Sequence, residues 1–187
     1  MKKIILASAS PRRRELLTLA GVNFSVKCAD ADETLPQGIS PREAVELLAQ
    51  KKAAAVALSH ADCAVIGADT VVSVQGKILG KPADYDEAFE MLSLLSGKAH
   101  SVYTGVCIVF GRERVVFSEK TDVTFYELTD DEIDEYIKTN ECYDKAGAYG
   151  IQGRGCTLVK KINGDYFNVV GLPVAKTVRE LKKMIKA

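Results

Sequence analysis

The chain has 187 residues, with 25 Lys and Arg balanced by 25 Asp and Glu, so its formal net charge is zero. This length corresponds to about one domain. Apolar types make up 47% and charged types 27% of the residues, which excludes a disordered or collagen-like chain. The zero net charge argues against a nucleic-acid-binding protein, since such proteins carry a basic excess.

The sequence shows no feature of a membrane or secreted protein. No run of about 18 apolar residues is present, so no membrane-spanning helix is predicted. The apolar run near the N-terminus is too short for a signal peptide. Five cysteines form no CxxC pair and the two histidines are far apart, so neither a disulfide framework nor a zinc cluster is predicted. We therefore predict a cytoplasmic protein without a membrane partner.

The first half of the chain alternates predicted strands and helices. The first elements are a strand in 2–8, a helix from Ser10 to Gly21, a strand in 24–28 and an acidic loop to residue 38. They are followed by a helix from Ser40 to about residue 59, strand runs in 64–68 and 71–74, a turn into 78–79, and a helix from Asp84 to about residue 95. Ser40 and Glu43 have the spacing of a capping box.

The second half adds a predicted antiparallel pair and a terminal helix. Its elements are strands in 100–110 and 115–126, a short helix from Thr129 to about residue 139, a glycine-rich irregular segment in 142–155, a strand in 157–161, and an amphipathic helix after Pro173. The pattern predicts an α/β fold.

Three arginines, residues 12–14, follow Ser10 in the first turn of the first predicted helix. A helix N-terminus carries about half a positive charge, so cations there are disfavoured by about 0.3–1 kcal/mol each. They form either a solvated basic patch or, with the hydroxyl groups of Ser8 and Ser10, a phosphate-binding turn. The spacing is not that of a Walker loop.

Asp69 follows an apolar strand run, where an unpaired buried carboxylate would be costly. It is either a turn or bulge residue bonded to nearby backbone, or a strand-end residue that holds a cation or activates water. Glu33, in an acidic stretch, is either solvated or a second carboxylate for the same ion.

Two lysines and a glutamine complete the candidate set. Lys52 in an alanine-rich helix and Lys81 between Gly80 and Pro82 are either surface residues or phosphate ligands. Gln152 lies in the glycine-rich segment, where its amide could bond to a pyrimidine edge. His100 is interpreted as a satisfied core or rim residue. Together these cations, carboxylates and glycine turns suit a metal-bound polyphosphate.

Several segments together resemble the Maf family. They are residues 8–13 (SASPRR), 68–72 (ADTVV), 80–82 (GKP), 96–98 (SGK) with His100, 104–105 (TG), 144–153 (DKAGAYGIQG) and 168–173 (NVVGLP). The resemblance implies a nucleoside triphosphate pyrophosphatase that cleaves between the α and β phosphates. It also implies a fold similar to inosine triphosphate pyrophosphatases: a long mixed β-sheet flanked by helices, with two lobes and a central cleft, here as a single domain over 1–187.

The resemblance also implies roles for individual residues. Asp69 matches the proton acceptor, and the positions that set base preference are Arg12, Thr70 and Gln152. The positions near the phosphates are Ser8, Arg13, Lys52 and Lys81. The metal, Mg²⁺ or Mn²⁺, would be held by Asp69 and Glu33. Arginine and glutamine at the base positions resemble the branch that acts on dTTP and UTP.

We therefore predict a metal-dependent hydrolase of dTTP and UTP, with modified pyrimidine nucleotides as further candidate substrates. Two alternatives stay open: a pyrophosphatase that prefers 7-methyl-GTP, and a non-catalytic nucleotide-binding regulator of septum formation. A homodimer is a further expectation from the family.

Overall fold

The computed structural model describes residues 2–28 and 30–186 and contains seven strands and six α-helices there. The strands are β1 (Lys3–Leu6), β2 (Ser25–Val26), β3 (Cys63–Val74), β4 (Lys77–Leu79), β5 (Ala99–Phe110), β6 (Glu113–Phe125) and β7 (Val159–Asn163). The helices are α1 (Pro11–Leu19), α2 (Pro41–Ala57), α3 (Tyr85–Leu95), α4 (Asp130–Ile137), α5 (Tyr166–Val170) and α6 (Val174–Lys186). Two 3₁₀ helices span Ala146–Ala148 and Gly153–Thr157.

The strands form one mixed sheet in the order β2-β1-β3-β5-β6-β7, with β4 paired to β3. The strand β1 is parallel to both β2 and β3, and Ile5 lies opposite Ser25 on one side and Val65 on the other. The pairs β3–β4 and β6–β7 are antiparallel. The predicted α/β class with a mixed sheet flanked by helices is confirmed.

Side-chain caps begin the helices where the sequence predicts them. Ser40 and Glu43 form a reciprocal capping box at α2, and Thr129 and Glu132 form another at α4. The Ser10 hydroxyl accepts the backbone N–H of residue 13 at α1. Each cap satisfies donors that the first helical turn leaves unpaired.

Some predicted bounds are wrong. The strand predicted over 24–28 is only Ser25–Val26, and the strand predicted over 157–161 is β7, which runs over Val159–Asn163. The 3₁₀ helices and the five-residue helix α5 were not predicted. All of these are short elements, which local sequence patterns mark weakly.

The described residues form two compact units, each with its own apolar core. Unit 1 comprises residues of 1–69, 104–119 and 171–187, and unit 2 comprises 70–103 and 120–170. The core of unit 1 includes Ile5, Ala49 and Val65, and that of unit 2 includes Leu92 and Phe125. The single domain over 1–187 stays a prediction. Of the helices in 2–28 and 30–186, none has both the length and the apolar character that a membrane crossing requires.

Candidate active site

The carboxylate of Asp69 lies in the middle of β3, not at a strand end or in a turn as the sequence suggests. Its side chain is only 14% exposed, and Oδ1 accepts a hydrogen bond from Lys52 Nζ at 2.5 Å. The strand continues through Asp69 because Thr70, Val71 and Val72 are β-branched residues that favour extended backbone. The partner that offsets the buried charge comes from α2 rather than from neighbouring backbone.

One ammonium group joins two of the predicted site carboxylates. Lys52 Nζ lies 2.9 Å from Glu33 Oε1 as well as 2.5 Å from Asp69 Oδ1. The Lys52 side chain is 18% exposed, whereas that of Glu33 is 61% exposed. Interpreting Lys52 as an ordinary surface lysine is therefore wrong. Two carboxylates meet at a single positive charge at the solvent boundary of unit 1.

The guanidinium of Arg13 is a buried cation in the same unit. Its Nε donates to the carbonyl oxygen of Gly171 at 2.8 Å, and its Nη1 donates to Ser8 Oγ at 3.1 Å. Burial lowers the pKa of Arg13, and the negative charges of Asp69 and Glu33 act against that shift. An arginine nevertheless stays protonated in proteins. A solvated patch is thus the wrong interpretation for Arg13, although Arg14 is exposed.

The two carboxylates fit the needs of a magnesium ion. Such an ion keeps several waters and is bound by one or two carboxylates together with substrate phosphates. Asp69 and Glu33 supply hard oxygen ligands, and their shared contact with Lys52 shows that they converge on one cation. Within 2–28 and 30–186, no group of three or more His, Cys, Asp or Glu side chains forms a cage for a metal.

Three other predicted site residues belong to unit 2. Thr70 and Gln152 are partly exposed, and Lys81 is exposed. The segment that carries Gln152 is tied down at two points: Gly150 N–H donates to the Tyr136 hydroxyl at 3.2 Å, and the N–H of residue 154 donates to a neighbouring carboxylate at 3.0 Å. The assignment of Thr70, Lys81 and Gln152 to a substrate site rests on the family resemblance.

The interpretation of His100 as a core residue is confirmed, but the expectation that its hydrogen bonds are satisfied is wrong for Nδ1, which is buried without a hydrogen-bond partner among the described residues. The residue is buried, and its Nε2 lies 2.8 Å from the Tyr149 hydroxyl. The ring packs edge-on against Phe125 and Tyr149. Burial lowers the pKa of His100 to about 4, so this histidine is neutral at pH 7.

Two structural features of the candidate site were not predicted. One is the carbonyl of Gly171, which holds the Arg13 side chain although it lies 158 residues away. The other is Gly67, two residues before Asp69 on β3, where α2 contacts the strand backbone. A glycine inside an apolar strand run is a signal for such a close approach.

A protein-family comparison identifies the chain. A family model described as "Maf-like protein" matches residues 3–184. The chain belongs to the Maf family. The predicted resemblance is therefore confirmed over nearly the whole sequence.

Maf relatives with high identity carry a common name. Proteins named "dTTP/UTP pyrophosphatase" from Bacillus cereus and Bacillus cytotoxicus are 55% and 56% identical to this Maf chain over 183 residues. Each alignment covers 98% of this chain and 96% of the relative. The solved structure of the Staphylococcus aureus Ham1 protein is also similar, with a TM-score of 0.51 and 17% identity over 84% of this chain and 80% of that one. At that identity, the Ham1 likeness shows the fold alone.

Proposed function

We propose that this Maf protein hydrolyses dTTP and UTP to the nucleoside monophosphate and pyrophosphate. The observation that carries the proposal is the convergence of the Asp69 and Glu33 carboxylates on Lys52, in the unit that also holds the buried Arg13. The names of the Bacillus relatives supply the substrate class.

Asp69 is the proposed general base. It orients a water molecule toward the α-phosphorus and takes one of its protons. The water oxygen bonds to the α-phosphorus as the bond from that phosphorus to the bridging oxygen breaks. That oxygen leaves with the β phosphate as pyrophosphate, and the nucleoside keeps the α phosphate. A carboxylate that is 14% exposed can reach such a water while its position is set by Lys52.

The cations stabilise the charge that spreads over the phosphate oxygens. Arg13 is suited to this because hydrogen bonds to Gly171 and Ser8 hold the guanidinium in place before substrate arrives, and a preorganised donor stabilises a transition state most effectively. Lys52 has three N–H donors, of which Asp69 and Glu33 engage two among the described residues. The third is available for a phosphate oxygen.

A divalent ion, when bound to Asp69 and Glu33, would supply Lewis-acid stabilisation of the phosphate oxygens. The residues Ser8, Arg12 and Lys81 are proposed as further phosphate or substrate contacts on the basis of the family motifs. The same motifs support Mg²⁺ or Mn²⁺ as the ion.

Base preference is assigned to Arg12, Thr70 and Gln152. The Gln152 amide offers both a donor and an acceptor, which match the O4 and N3–H positions of thymine and uracil. Modified pyrimidine nucleotides share that edge and are therefore included among the proposed substrates.

The test is a panel of canonical and modified nucleoside triphosphates, including 7-methyl-GTP, with pyrophosphate release measured in Mg²⁺ and in EDTA. The proposal expects the highest kcat/KM for dTTP and UTP and no turnover in EDTA. A preference for 7-methyl-GTP would contradict the substrate assignment. Nucleotide binding without turnover would contradict the enzymatic assignment and favour a regulator.

A further inference from the structure

We propose that Gly67 is a positioning residue for the catalytic pair, because its lack of a side chain lets α2 approach β3 closely enough for Lys52 to reach Asp69. This inference rests on the proposed function for its kinetic consequence. Its structural part, the dependence of the ion pair on Gly67, can be measured independently.

The backbone of α2 occupies the space that a side chain at residue 67 would need. A Cβ atom built on Gly67 lies 2.4 Å from the carbonyl oxygen of Ala49 and 2.6 Å from the backbone nitrogen of Ala53. Real Cβ atoms essentially never come within 3.0 Å of such atoms. Since both contacts are to backbone, no side-chain rotation relieves them, and the helix itself has to move.

The close contact and the ion pair lie on the same face of β3. Side chains at positions two apart on a strand point the same way, so residues 67 and 69 both face α2. On the helix, Ala49 and Ala53 are about one turn apart, and Lys52 precedes Ala53 directly. The helix position that Gly67 permits is therefore the position that sets the 2.5 Å contact between Lys52 Nζ and Asp69 Oδ1.

A second glycine provides a matched control. A Cβ atom on Gly105 of β5, which neighbours β3 in the sheet, would lie 2.3 Å from the carbonyl oxygen of Val45. The steric overlap is thus as large as at Gly67. However, Val45 lies seven residues from Lys52, about 10 Å along a helix that rises 1.5 Å per residue. A methyl group at residue 105 would therefore displace mainly the N-terminal part of α2 around Val45 and not the turn that carries Lys52.

The size of the expected effect follows from the overlap. Moving the contact from 2.4 Å to at least 3.0 Å displaces the helix by a sizeable fraction of an ångström. A misplacement of about 1 Å in a catalytic constellation can lower the rate about 100-fold. We therefore expect Gly67→Ala to lower kcat about 100-fold with a change in KM of only a few-fold.

The experiment compares Gly67→Ala with Gly105→Ala in crystal structures and in steady-state kinetics with dTTP. Both variants are first checked for folding by circular dichroism. If Gly67→Ala does not fold, Ala53→Val replaces it, because the added methyl groups widen the same contact from the helix side. The expected structures show the Lys52–Asp69 ion pair broken in the Gly67 or Ala53 variant and retained in Gly105→Ala, which loses less than about tenfold in kcat.

Two results would overturn the inference: an intact Lys52–Asp69 contact in folded Gly67→Ala, or in Ala53→Val where that variant replaces it, and a loss of kcat in that variant equal to the loss in Gly105→Ala. Failure of the proposed function is a separate outcome. It would appear as a wild-type protein that does not turn over dTTP, while the ion-pair distances in the crystal structures would still decide the structural part.

Discussion

Removal of the Lys52 ammonium should destabilise the protein at pH 7. At an effective dielectric constant of about 20, charges 2.5 Å apart attract by about 7 kcal/mol. Because both side chains are mostly buried, the free-energy cost of removing the two charges from water cancels most of this attraction. We expect Lys52→Met to lower the free energy of unfolding by about 3 kcal/mol, since it leaves Asp69 without its cation. In a chain of 187 residues this corresponds to a fall in Tm of about 6–12 °C.

The assay is urea unfolding followed by circular dichroism for Lys52→Met, Asp69→Asn and the double variant. The double variant should be more stable than the sum of the single effects predicts, with a coupling energy of about 2 kcal/mol. Lys51→Met is the matched control, because Lys51 pairs at 3.1 Å with an Asp32 side chain that is 71% exposed and such pairs contribute about 0–1 kcal/mol. Additive single effects, or equal losses for the Lys51 and Lys52 variants, would refute the reasoning.

Four further predictions follow from the same structure. Asp69→Asn should lower kcat by about 10²–10⁴-fold through loss of the base while the protein stays folded, and near-normal kcat would remove Asp69 from the mechanism. Arg13→Lys should lower kcat about 100-fold, because a lysine cannot reproduce the guanidinium fork, and unchanged kinetics would count against this role. Gln152→Glu should lower the kcat/KM ratio of dTTP to 7-methyl-GTP, and an unaltered ratio would contradict its role in base preference. The pKa of His100 is about 4 in the folded protein and about 6.5 in the unfolded chain, so the unfolded chain takes up the proton first as the pH falls. The free energy of unfolding should therefore fall by about 2 kcal/mol between pH 7 and 5, relative to His100→Gln. Urea midpoints that change in parallel for the two proteins would contradict this.

Local sequence patterns were sufficient to predict most helices. The capping boxes at Ser40 and Thr129 form between residues three apart, so the sequence contains both partners within one turn. The apolar runs of the parallel strands β1 and β3 were also predicted, because most of their residues are buried and apolar, whereas β2 is short and exposed. Short elements such as α5 were not, since they contain too few residues for a periodic pattern.

The candidate site could be predicted only as a set of residues. The role of Asp69 depends on Lys52, 17 residues earlier, and that of Arg13 depends on Gly171, 158 residues later. Nothing in the sequence around Asp69 shows that its charge is neutralised from α2, and Asp69 was therefore expected either in a turn or bulge or at a strand end. The family motifs identified these residues, whereas the contacts between them required the fold.

The most direct test of the central claim is hydrolysis of dTTP in ¹⁸O-labelled water, with the products analysed by mass spectrometry. Attack of an Asp69-activated water on the α-phosphorus predicts one labelled oxygen in dTMP and none in pyrophosphate. Label in pyrophosphate would place the attack at the β-phosphorus, and release of inorganic phosphate with dTDP would place it at the γ-phosphorus. Either result would contradict the proposed reaction.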